Sequence, residues 1–253
     1  DYLLPHDNAF FVGASGEIEK FSKHFAGTGI KAPERVMIIG AGRTGRTLAS
    51  MLDKQGIQVK VIEKDAERSR MVAERIEEGI VVRGDGTDID LLTQEGVGEA
   101  DVVICLTADD KLNLMLALLA KHLGAARTVV RVARIEYVEL MKKVGVDIVL
   151  SSRLLAAGEI LAFARRGGVV SVALLEGAKA EAMEVIVQKG SYVENKKLMD
   201  LELPKECLIC AFVRNEEAFV PTGQSSLQAG DRAILFIRME FANKVMKYFA
   251  GKA

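Results

Sequence analysis

The sequence predicts an α/β fold, with a doubly wound parallel sheet followed by a small β-rich α+β domain. Two observations support this prediction. Between residues 35 and 166, short apolar segments alternate with longer amphipathic ones, and strands that are apolar throughout are typical of a parallel sheet covered by helices on both faces. After residue 167 the strand-like segments become shorter, and turn signals such as RNEE, PTGQ and QAGD separate them.

Six strands are predicted in the first part, with a helix after each of the first five. In chain order the strands are RVMIIG, QVKVIE, GIVVRG, DVVICL, TVVRVA and DIVL. The helices are expected near residues 43–55, 65–77, 88–95, 109–122 and 135–143. A long apolar helix, SRLLAAGEILAFARR, is predicted over residues 152–166. Its smooth apolar face would serve either as plain core or as an interface with a second copy.

The second part is predicted to be β-rich and to close with a helix. Its expected strands are VVSVALL, EAMEVIVQ, CLICAFVR, EAFVP and RAILFI, and EFANKVMKYF is the closing helix. Because the periodicity changes beside the Gly pair at residues 167 and 168, we place the domain boundary there. The predicted domains are residues 30–166 and 167–253.

The beginning of the chain repeats its end. Residues 7–27 align without a gap with residues 231–251, and both segments finish on Phe-Ala-Gly. Similarity at a fixed offset indicates a tandem array, although chance similarity between two strand–helix pieces would look the same. We therefore interpret residues 1–29 as the tail of a preceding copy of the β-rich domain.

Composition excludes several classes of partner. Lys and Arg number 34 against 35 Asp and Glu, so no net field favours nucleic acid or an anionic membrane surface. No apolar segment approaches the roughly 20 residues that span a bilayer. Three Cys residues do not make a disulfide framework, and the expected compartment is a reducing cytoplasm.

A glycine-rich loop is the strongest motif. Gly40, Gly42 and Gly45 follow the first strand with G-x-G-x-x-G spacing and lead into a helix, which is the Rossmann-like context. The first glycine permits a tight turn, the second lets backbone approach a pyrophosphate, and the third allows close packing of helix on strand. The helix N-terminus then favours an anion. We expect a nucleotide here, with a merely structural turn as the alternative.

An acidic residue ends the second strand. Glu63 follows the glycine loop at close to the separation of about 20 residues found in dinucleotide-binding folds. A carboxylate there accepts hydrogen bonds from ribose hydroxyls and repels a 2′-phosphate. NAD is therefore expected in preference to NADP.

Further candidates lie where other strands end, because ligands of open α/β sheets bind beyond the carboxyl ends of the strands. Asp85 could accept from an adenine amino group or serve as turn and helix cap. Thr107 and Ala108 could cover an adenine, hold ribose or simply pack the loop. Arg131 needs an anionic partner if buried, either a ligand phosphate or a structural carboxylate. Arg43 could grip phosphate or be solvated.

Catalytic and metal chemistry are weakly supported. Cys207 and Cys210 have C-x-x-C spacing, but side chains three apart in a strand point to opposite faces, so we expect core packing and no metal. A dehydrogenase needs a proton donor or acceptor beside the nicotinamide, and the three His residues lie away from the predicted strand tips. No enzyme activity is expected; an NAD-dependent oxidoreductase is the alternative, and a cyclic-dinucleotide sensor is a third reading.

These motifs resemble the RCK (KTN) family of potassium-transport regulators, specifically its TrkA type. The resemblance rests on IIGAGRTG, VIEKD, VVRGDGTD, LTADDKLNLMLALLAKHLGA, RVARIEY and DIVLSS, and on the β-rich segment LPKECLICAFVRNEEAFVPTGQSSLQAGDRAILF. It covers essentially all of residues 33–253. Members carry two such units in tandem, so the chain resembles a second half that begins with the end of the first TrkA-C domain.

The resemblance implies a regulatory subunit without chemistry of its own. Such a subunit would be cytoplasmic, would bind NAD(H) or ATP and ADP, and would assemble as dimers and rings beneath a Trk-type membrane potassium transporter subunit. The helix over residues 152–166 resembles the crossover helix through which two such domains pair. By motif position, the implied nucleotide-binding residues are Gly40, Ala41, Gly42, Arg43, Thr44, Gly45, Glu63, Asp85, Thr107, Ala108 and Arg131.

Overall fold

The computed structural model describes residues 11–13, 16–18, 20–21, 33–164, 168–175 and 180–251. The chain divides between Arg153 and Leu154 into two compact units. The predicted tail of a preceding domain, residues 1–29, lies largely outside the described residues, so that interpretation stays a prediction.

The first unit contains a six-stranded parallel sheet. Its strands are β1 (Arg35–Ile39), β2 (Gln58–Glu63), β3 (Ile80–Arg83), β4 (Val102–Cys105), β5 (Thr128–Val132) and β6 (Ile148–Ser151). They lie in the order β3-β2-β1-β4-β5-β6 with every neighbouring pair parallel. The connections reverse direction between β1 and β4, and a crevice forms at such a switch point beyond the carboxyl ends of the strands.

Helices connect these strands and cover both faces of the sheet. They are α1 (Arg43–Asp53), α2 (Ala66–Ala73), α3 (Ile89–Gln94), α4 (Asp110–His122) and α5 (Tyr137–Val144). Alternate residues of β1 enter different cores: Met37 and Ile39 pack in one cluster, and Val36 and Ile38 in the other. Two buried faces explain why the strand sequences are apolar throughout.

One helix is shorter than expected. We predicted a helix near residues 65–77, but α2 ends at Ala73. The Asp53 carboxylate accepts backbone N–H groups from Glu77, Glu78 and Gly79 at 2.6, 3.2 and 2.8 Å. These bonds give the N–H groups of the segment a side-chain acceptor, so the chain turns into β3 where helical periodicity alone would have continued α2.

The second unit contains a five-stranded antiparallel sheet. Its elements are α6 (Ser152–Ala164), β7 (Val169–Leu175), β8 (Ala180–Ile186), β9 (Cys207–Arg214), β10 (Glu217–Phe219), β11 (Arg232–Arg238) and α7 (Ala242–Phe249). The strand order is β10-β9-β11-β8-β7. Met183 and Leu235 of the sheet and Phe249 of α7 share its core. The predicted fold class, a Rossmann-like parallel sheet followed by a β-rich domain, is therefore confirmed.

The position of α6 differs from our domain boundary after residue 166. By contacts, the helix from Leu154 onward groups with the second unit. Gly158 shows why: a Cβ on this residue would stand 2.6 Å from the carbonyl oxygen of Val172. Helix and β7 backbone are in direct contact there, and a change in hydrophobic periodicity does not reveal such a close approach.

A β-bulge modifies the expectation for the two neighbouring cysteines. In the β9–β11 pairing, Ala211 lies opposite Ile234 and Ile209 opposite Leu235, so Cys210 has no opposite residue. The bulge interrupts the strict alternation from which we expected opposite faces.

Burial raises the pKa of the Cys207 thiol to about 12. Among the residues that the structure describes, no group of three or more His, Cys, Asp and Glu could hold a metal ion.

A bidentate ion pair fixes the loop before β11. Arg214 donates through Nε and Nη2 to the two carboxylate oxygens of Asp231, at 2.8 and 2.7 Å. Asp231 is almost fully buried, and Arg214 also donates to the carbonyl of Ser226 at 3.0 Å.

Within the described parts of both units, no helix has the length and apolarity that crossing a membrane requires.

Candidate functional site

A cleft of about 940 Å³ opens at the carboxyl ends of the parallel strands. This volume suits a nucleotide-sized ligand, since small-molecule sites span roughly 300–1,000 Å³. Ten of the eleven predicted site residues line it; Gly45 lies outside the lining. The ten are Gly40, Ala41, Gly42, Arg43, Thr44, Glu63, Asp85, Thr107, Ala108 and Arg131.

Each glycine of the loop has its own geometric reason. Gly40 has φ +105°, and a Cβ there would stand 3.0 Å from the backbone of Leu106 and Thr107. A Cβ on Gly45 would overlap the carbonyl oxygen of Gly40. Gly42 differs, because a Cβ there would meet nothing within 4 Å. Gly40 and Gly45 are therefore needed for the turn and its packing, whereas Gly42 keeps space open.

The N-terminus of α1 has no cap from the protein. Its N-cap residue is Gly42, no side-chain cap bond is found among the described residues, and the first turn contains no acidic residue. By contrast, Asp65, Asp88 and Asp109 cap α2, α3 and α4 with their carboxylates. The first N–H groups of α1 thus face the cleft as donors, and the helix dipole favours negative charge at the same point.

Glu63 lies at the end of β2 and is 7% exposed. One carboxylate oxygen accepts the N–H of Ala41 at 2.6 Å, and the other accepts the N–H of Asp65 at 2.9 Å. The carboxylate therefore holds the glycine loop against β2. Because two carboxylate oxygens offer about four lone-pair sites, Glu63 retains the capacity to accept from a ligand hydroxyl.

Asp85 organises the loop after β3. One of its oxygens accepts both the N–H and the hydroxyl of Thr87, each at 2.9 Å. These bonds, the backbone one first, hold the pKa of Asp85 below its ordinary value despite partial burial. Of the alternatives that the sequence left open, the turn is observed, whereas the cap of the next helix is Asp88. Asp85 as a residue lines the cleft.

Arg131 of β5 lines the cleft and has no carboxylate partner within the described part of the chain. Its Nη2 donates to the carbonyl oxygen of Thr107 at 3.0 Å. Its Nε is buried and has no hydrogen-bond partner in the described part of the chain. Of the two partners that the sequence left open, a structural carboxylate is not found among the described residues. An unpaired buried donor on a cation is costly unless an anion meets it.

Sequence reasoning missed Asn113. This residue of α4 is fully buried and hydrogen bonds both to Thr107 and to the backbone of Arg131. The available signal was an amide side chain within the apolar segment LNLMLALLA, since buried polar groups require partners. Lys64, Arg46 and Arg68 also line the cleft and had not been singled out.

Family comparisons agree with both units. Residues 36–152 match the TrkA-N domain, and residues 182–250 match the TrkA-C domain. The chain belongs to the TrkA family. The two matched segments correspond to the parallel-sheet unit with its cleft and to the antiparallel unit.

Curated relatives extend the similarity over nearly the whole chain. "Trk system potassium uptake protein TrkA homolog 1" of Methanosarcina mazei is 34% identical over 250 residues, covering 98% of this chain and 56% of the relative. "Trk system potassium uptake protein TrkA" of Vibrio alginolyticus is 33% identical over 234 residues, covering 91% of this chain and 51% of the relative. This TrkA-family chain thus spans about half the length of the curated relatives it matches.

Solved structures share the fold. The RCK domain of GsuK is 19% identical with a TM-score of 0.55, covering 88% of this chain and 49% of that chain. The GsuK channel is 18% identical with a TM-score of 0.56, covering 88% of this chain and 40% of that one. At this level of identity the similarity concerns fold alone.

Proposed function

We propose that this TrkA-family chain binds an adenine nucleotide, NAD(H) or ATP and ADP, in the cleft and thereby regulates a membrane potassium transporter. The observation that carries the proposal is the pair of unsatisfied donors at the carboxyl edge. The N-terminus of α1 has no cap, and Arg131 Nε has no partner in the described chain. The uncapped helix N-terminus calls for an anionic group, which a phosphate or pyrophosphate supplies. The guanidinium of Arg131, a residue that lines the same cleft, adds positive charge there.

The surroundings of the cleft support a nucleotide over a simple anion. Gly42 leaves open space beside the helix N-terminus, where a phosphate could approach the backbone. Glu63 stands at the end of β2 with accepting capacity left for ribose hydroxyls. A nucleotide has both groups: its phosphate would lie at the helix N-terminus, and its ribose hydroxyls would donate to Glu63.

The regulatory role rests on the relatives. Those of M. mazei and V. alginolyticus are named as Trk system potassium uptake proteins, and we propose the same system for this chain. Its partner would be a Trk-type membrane potassium transporter subunit, and it would act at the cytoplasmic side as a homo-oligomer. Nucleotide binding would shift an equilibrium between assembly shapes by its differential affinity for them.

Calorimetric titration of the chain with NADH, NAD, ATP and ADP tests the binding. We expect saturable binding of at least one nucleotide, without consumption of NADH when small alcohols or acids are added. Absence of binding by all four would overturn the proposal. Steady NADH turnover would establish an oxidoreductase in its place.

A matched pair of variants ties the binding to the cleft. Arg131→Met removes the unpaired cation, whereas Arg35→Met removes a cation of β1 that pairs with Glu99 at 3.1 Å. We expect Arg131→Met to weaken binding about tenfold or more, because a charge-assisted hydrogen bond contributes roughly 1.5–3 kcal/mol. Arg35→Met should leave affinity unchanged. Equal effects of the two substitutions would place the ligand elsewhere.

A further inference from the structure

Asn113 makes four hydrogen bonds behind the cleft wall. It is fully buried on α4. Its Oδ1 accepts from the N–H of Thr107 at 2.9 Å and from the Thr107 hydroxyl at 2.7 Å. Its Nδ2 donates to the carbonyl oxygens of Thr107 at 3.2 Å and Arg131 at 3.0 Å. Both donors and both acceptor sites of the amide are therefore used, and all four bonds go to two residues that line the cleft.

These bonds set the direction of hydrogen bonding at Thr107. A hydroxyl has a single proton to donate. Asn113 Oδ1 lies 2.7 Å from Thr107 Oγ1, whereas the competing carbonyl oxygen of Asp109 lies 3.3 Å from it. The proton therefore goes to Asn113. The N–H of Asp109 donates to one lone pair of Thr107 Oγ1 at 3.3 Å, and the second lone pair remains for an external donor.

The same amide constrains Arg131. Nδ2 of Asn113 holds the Arg131 carbonyl, and Arg131 Nη2 donates to the Thr107 carbonyl at 3.0 Å. The three residues thus form one closed network that joins α4, β5 and the loop after β4. Within this network Arg131 Nε remains as an unused donor.

A second residue of α4 fixes the adjoining loop. The Asp110 carboxylate accepts the N–H of Ala133 at 2.9 and 3.0 Å and that of Arg134 at 3.0 Å. Asp110 and Asn113 are three residues apart and therefore lie on one face of the helix. The first turn of α4 thus anchors the end of β5 at two points.

We infer that Asn113 is a positioning residue that gives this wall its ligand specificity without contacting the ligand. It presents Thr107 Oγ1 as an acceptor and holds the cation of Arg131 at the same wall. The ligand class that fits has a hydroxyl or amino donor close to an anionic oxygen, as the ribose and phosphate of a nucleotide do. The inference rests on the proposed nucleotide binding and adds to it the residue that sets the pattern.

A double-mutant cycle tests the inference, with ADP and NADH as probes. Dissociation constants are measured by calorimetry for the wild-type chain, Asn113→Ala, Thr107→Val and the double variant. We expect Asn113→Ala to weaken binding about tenfold, because Thr107 and Arg131 then lose the shared hydrogen-bond partner that orients them. In the Thr107→Val background the same change should cost less than about threefold, since residues of one network are not additive.

Thr128→Val provides the matched control. Thr128 is also fully buried, but its hydroxyl and N–H bond to Asp147 at the opposite end of β5. It should lower stability in urea unfolding while affinity stays within about twofold. Asn113→Asp serves where Asn113→Ala does not fold: it keeps the acceptor for Thr107, loses the donor to the carbonyls, and should also weaken binding.

The outcomes separate the two proposals. If the wild-type chain binds neither probe, the proposed function fails and the inference fails with it. If the wild-type chain binds but the Asn113 substitution leaves affinity unchanged, the inference alone is overturned. The same holds if the effects at Asn113 and Thr107 multiply as independent changes, or if Thr128→Val weakens binding as much as Asn113→Ala.

Discussion

The two edges of the parallel sheet differ in how the protein satisfies their polar groups. At the amino edge, Asp101 accepts the N–H groups of Glu34 and Arg35 at 2.8 Å each, and Asp147 accepts from Lys121 and Thr128. At the carboxyl edge, α1 has no cap and Arg131 Nε has no partner among the described residues. Folded chains satisfy nearly all of their buried polar groups. An edge of the sheet that leaves such groups without partners is therefore the place to look for a ligand.

The comparison is sharper because a second cleft opens at the amino edge. It has a volume of about 710 Å³, and its lining includes Arg35, Lys60, Glu95 and Glu99. Lys60 pairs with Glu95 at 2.9 Å, and Arg35 with Glu99 at 3.1 Å. The two clefts are similar in size, but in the amino-edge cleft each of these two cations is paired with a carboxylate of the chain itself. Volume alone therefore does not distinguish a binding site from a surface groove.

The largest expected effect comes from filling the space at Gly42. Gly42→Val should weaken nucleotide binding by about a hundredfold or more, because the side chain displaces a phosphate that accepts several bonds of roughly 1.5–3 kcal/mol each. Stability should change little, because a Cβ at Gly42 meets nothing within 4 Å. Titration and urea unfolding of the same variant check this. Unchanged affinity would contradict a phosphate at the helix terminus.

Glu63→Gln should act on both the loop and the ligand. The amide oxygen can replace one carboxylate oxygen, but its NH₂ group would face an N–H, either that of Ala41 or that of Asp65. We expect binding of NADH and of ATP to weaken alike, about tenfold, because a buried donor left unpaired costs roughly 1–3 kcal/mol. Parallel titrations measure the ratio. A selective loss of NADH would mean that Glu63 acts on the dinucleotide directly and not through the loop.

At the amino edge the effect should fall on stability instead. Asp147→Ala removes the acceptor of Thr128 N–H, Thr128 hydroxyl and Lys121 Nζ. We expect unfolding to become easier by roughly 1–3 kcal/mol, with nucleotide affinity unchanged. Chemical unfolding with and without nucleotide measures both. A clear loss of affinity in this variant would break the division between the two edges.

Lowering the pH should reduce the stability contributed by the amino edge gradually, and by less than the Asp147→Ala substitution does. Burial alone would raise the pKa of Asp147, but Lys121 and Thr128 outweigh it and hold that pKa below its ordinary 3.8. The N–H of Glu77, followed by Gly79 and Glu78, likewise lowers the pKa of Asp53. A lowered pKa adds stability above the unfolded value that is lost as pH falls through the folded one.

Unfolding midpoints measured from about pH 6 down to about pH 3 should therefore hold steady and then fall below roughly pH 4. Asp147→Ala should show a shallower acid decline than the wild-type chain, because one of the depressed carboxylates is missing. An identical decline in both would mean that Asp147 titrates at its ordinary pKa.

Much of the fold was predictable from local pattern. Apolar strands such as RVMIIG and a glycine loop in register with Glu63 report burial and turn geometry, which are local properties. The bulge at Cys210 and the contact of Gly158 with β7 depend on which segments meet. Sequence periodicity contains no such information, and both positions required the structure.

The candidate site was predictable in its members but less so in their bonding. Ten of the eleven predicted residues line the cleft, because strand ends of a parallel sheet converge at one edge. Their binding roles remain predictions. The bonds from Asn113 to Thr107 and Arg131 span 6 and 18 positions in sequence, and the loop-holding role of Glu63 spans 22. Such pairings follow from tertiary packing, which no single segment specifies.

The uncapped terminus of α1 also has a consequence for the lifetime of the protein. A ligand that binds only the folded chain stabilises it by mass action, by about 2.7 kcal/mol when present at a hundred times its dissociation constant. Chains without nucleotide would open more often and expose themselves to proteases, since degradation follows the population of open forms. If the proposed nucleotide binding holds, the abundance of this chain would then track the cellular supply of that nucleotide.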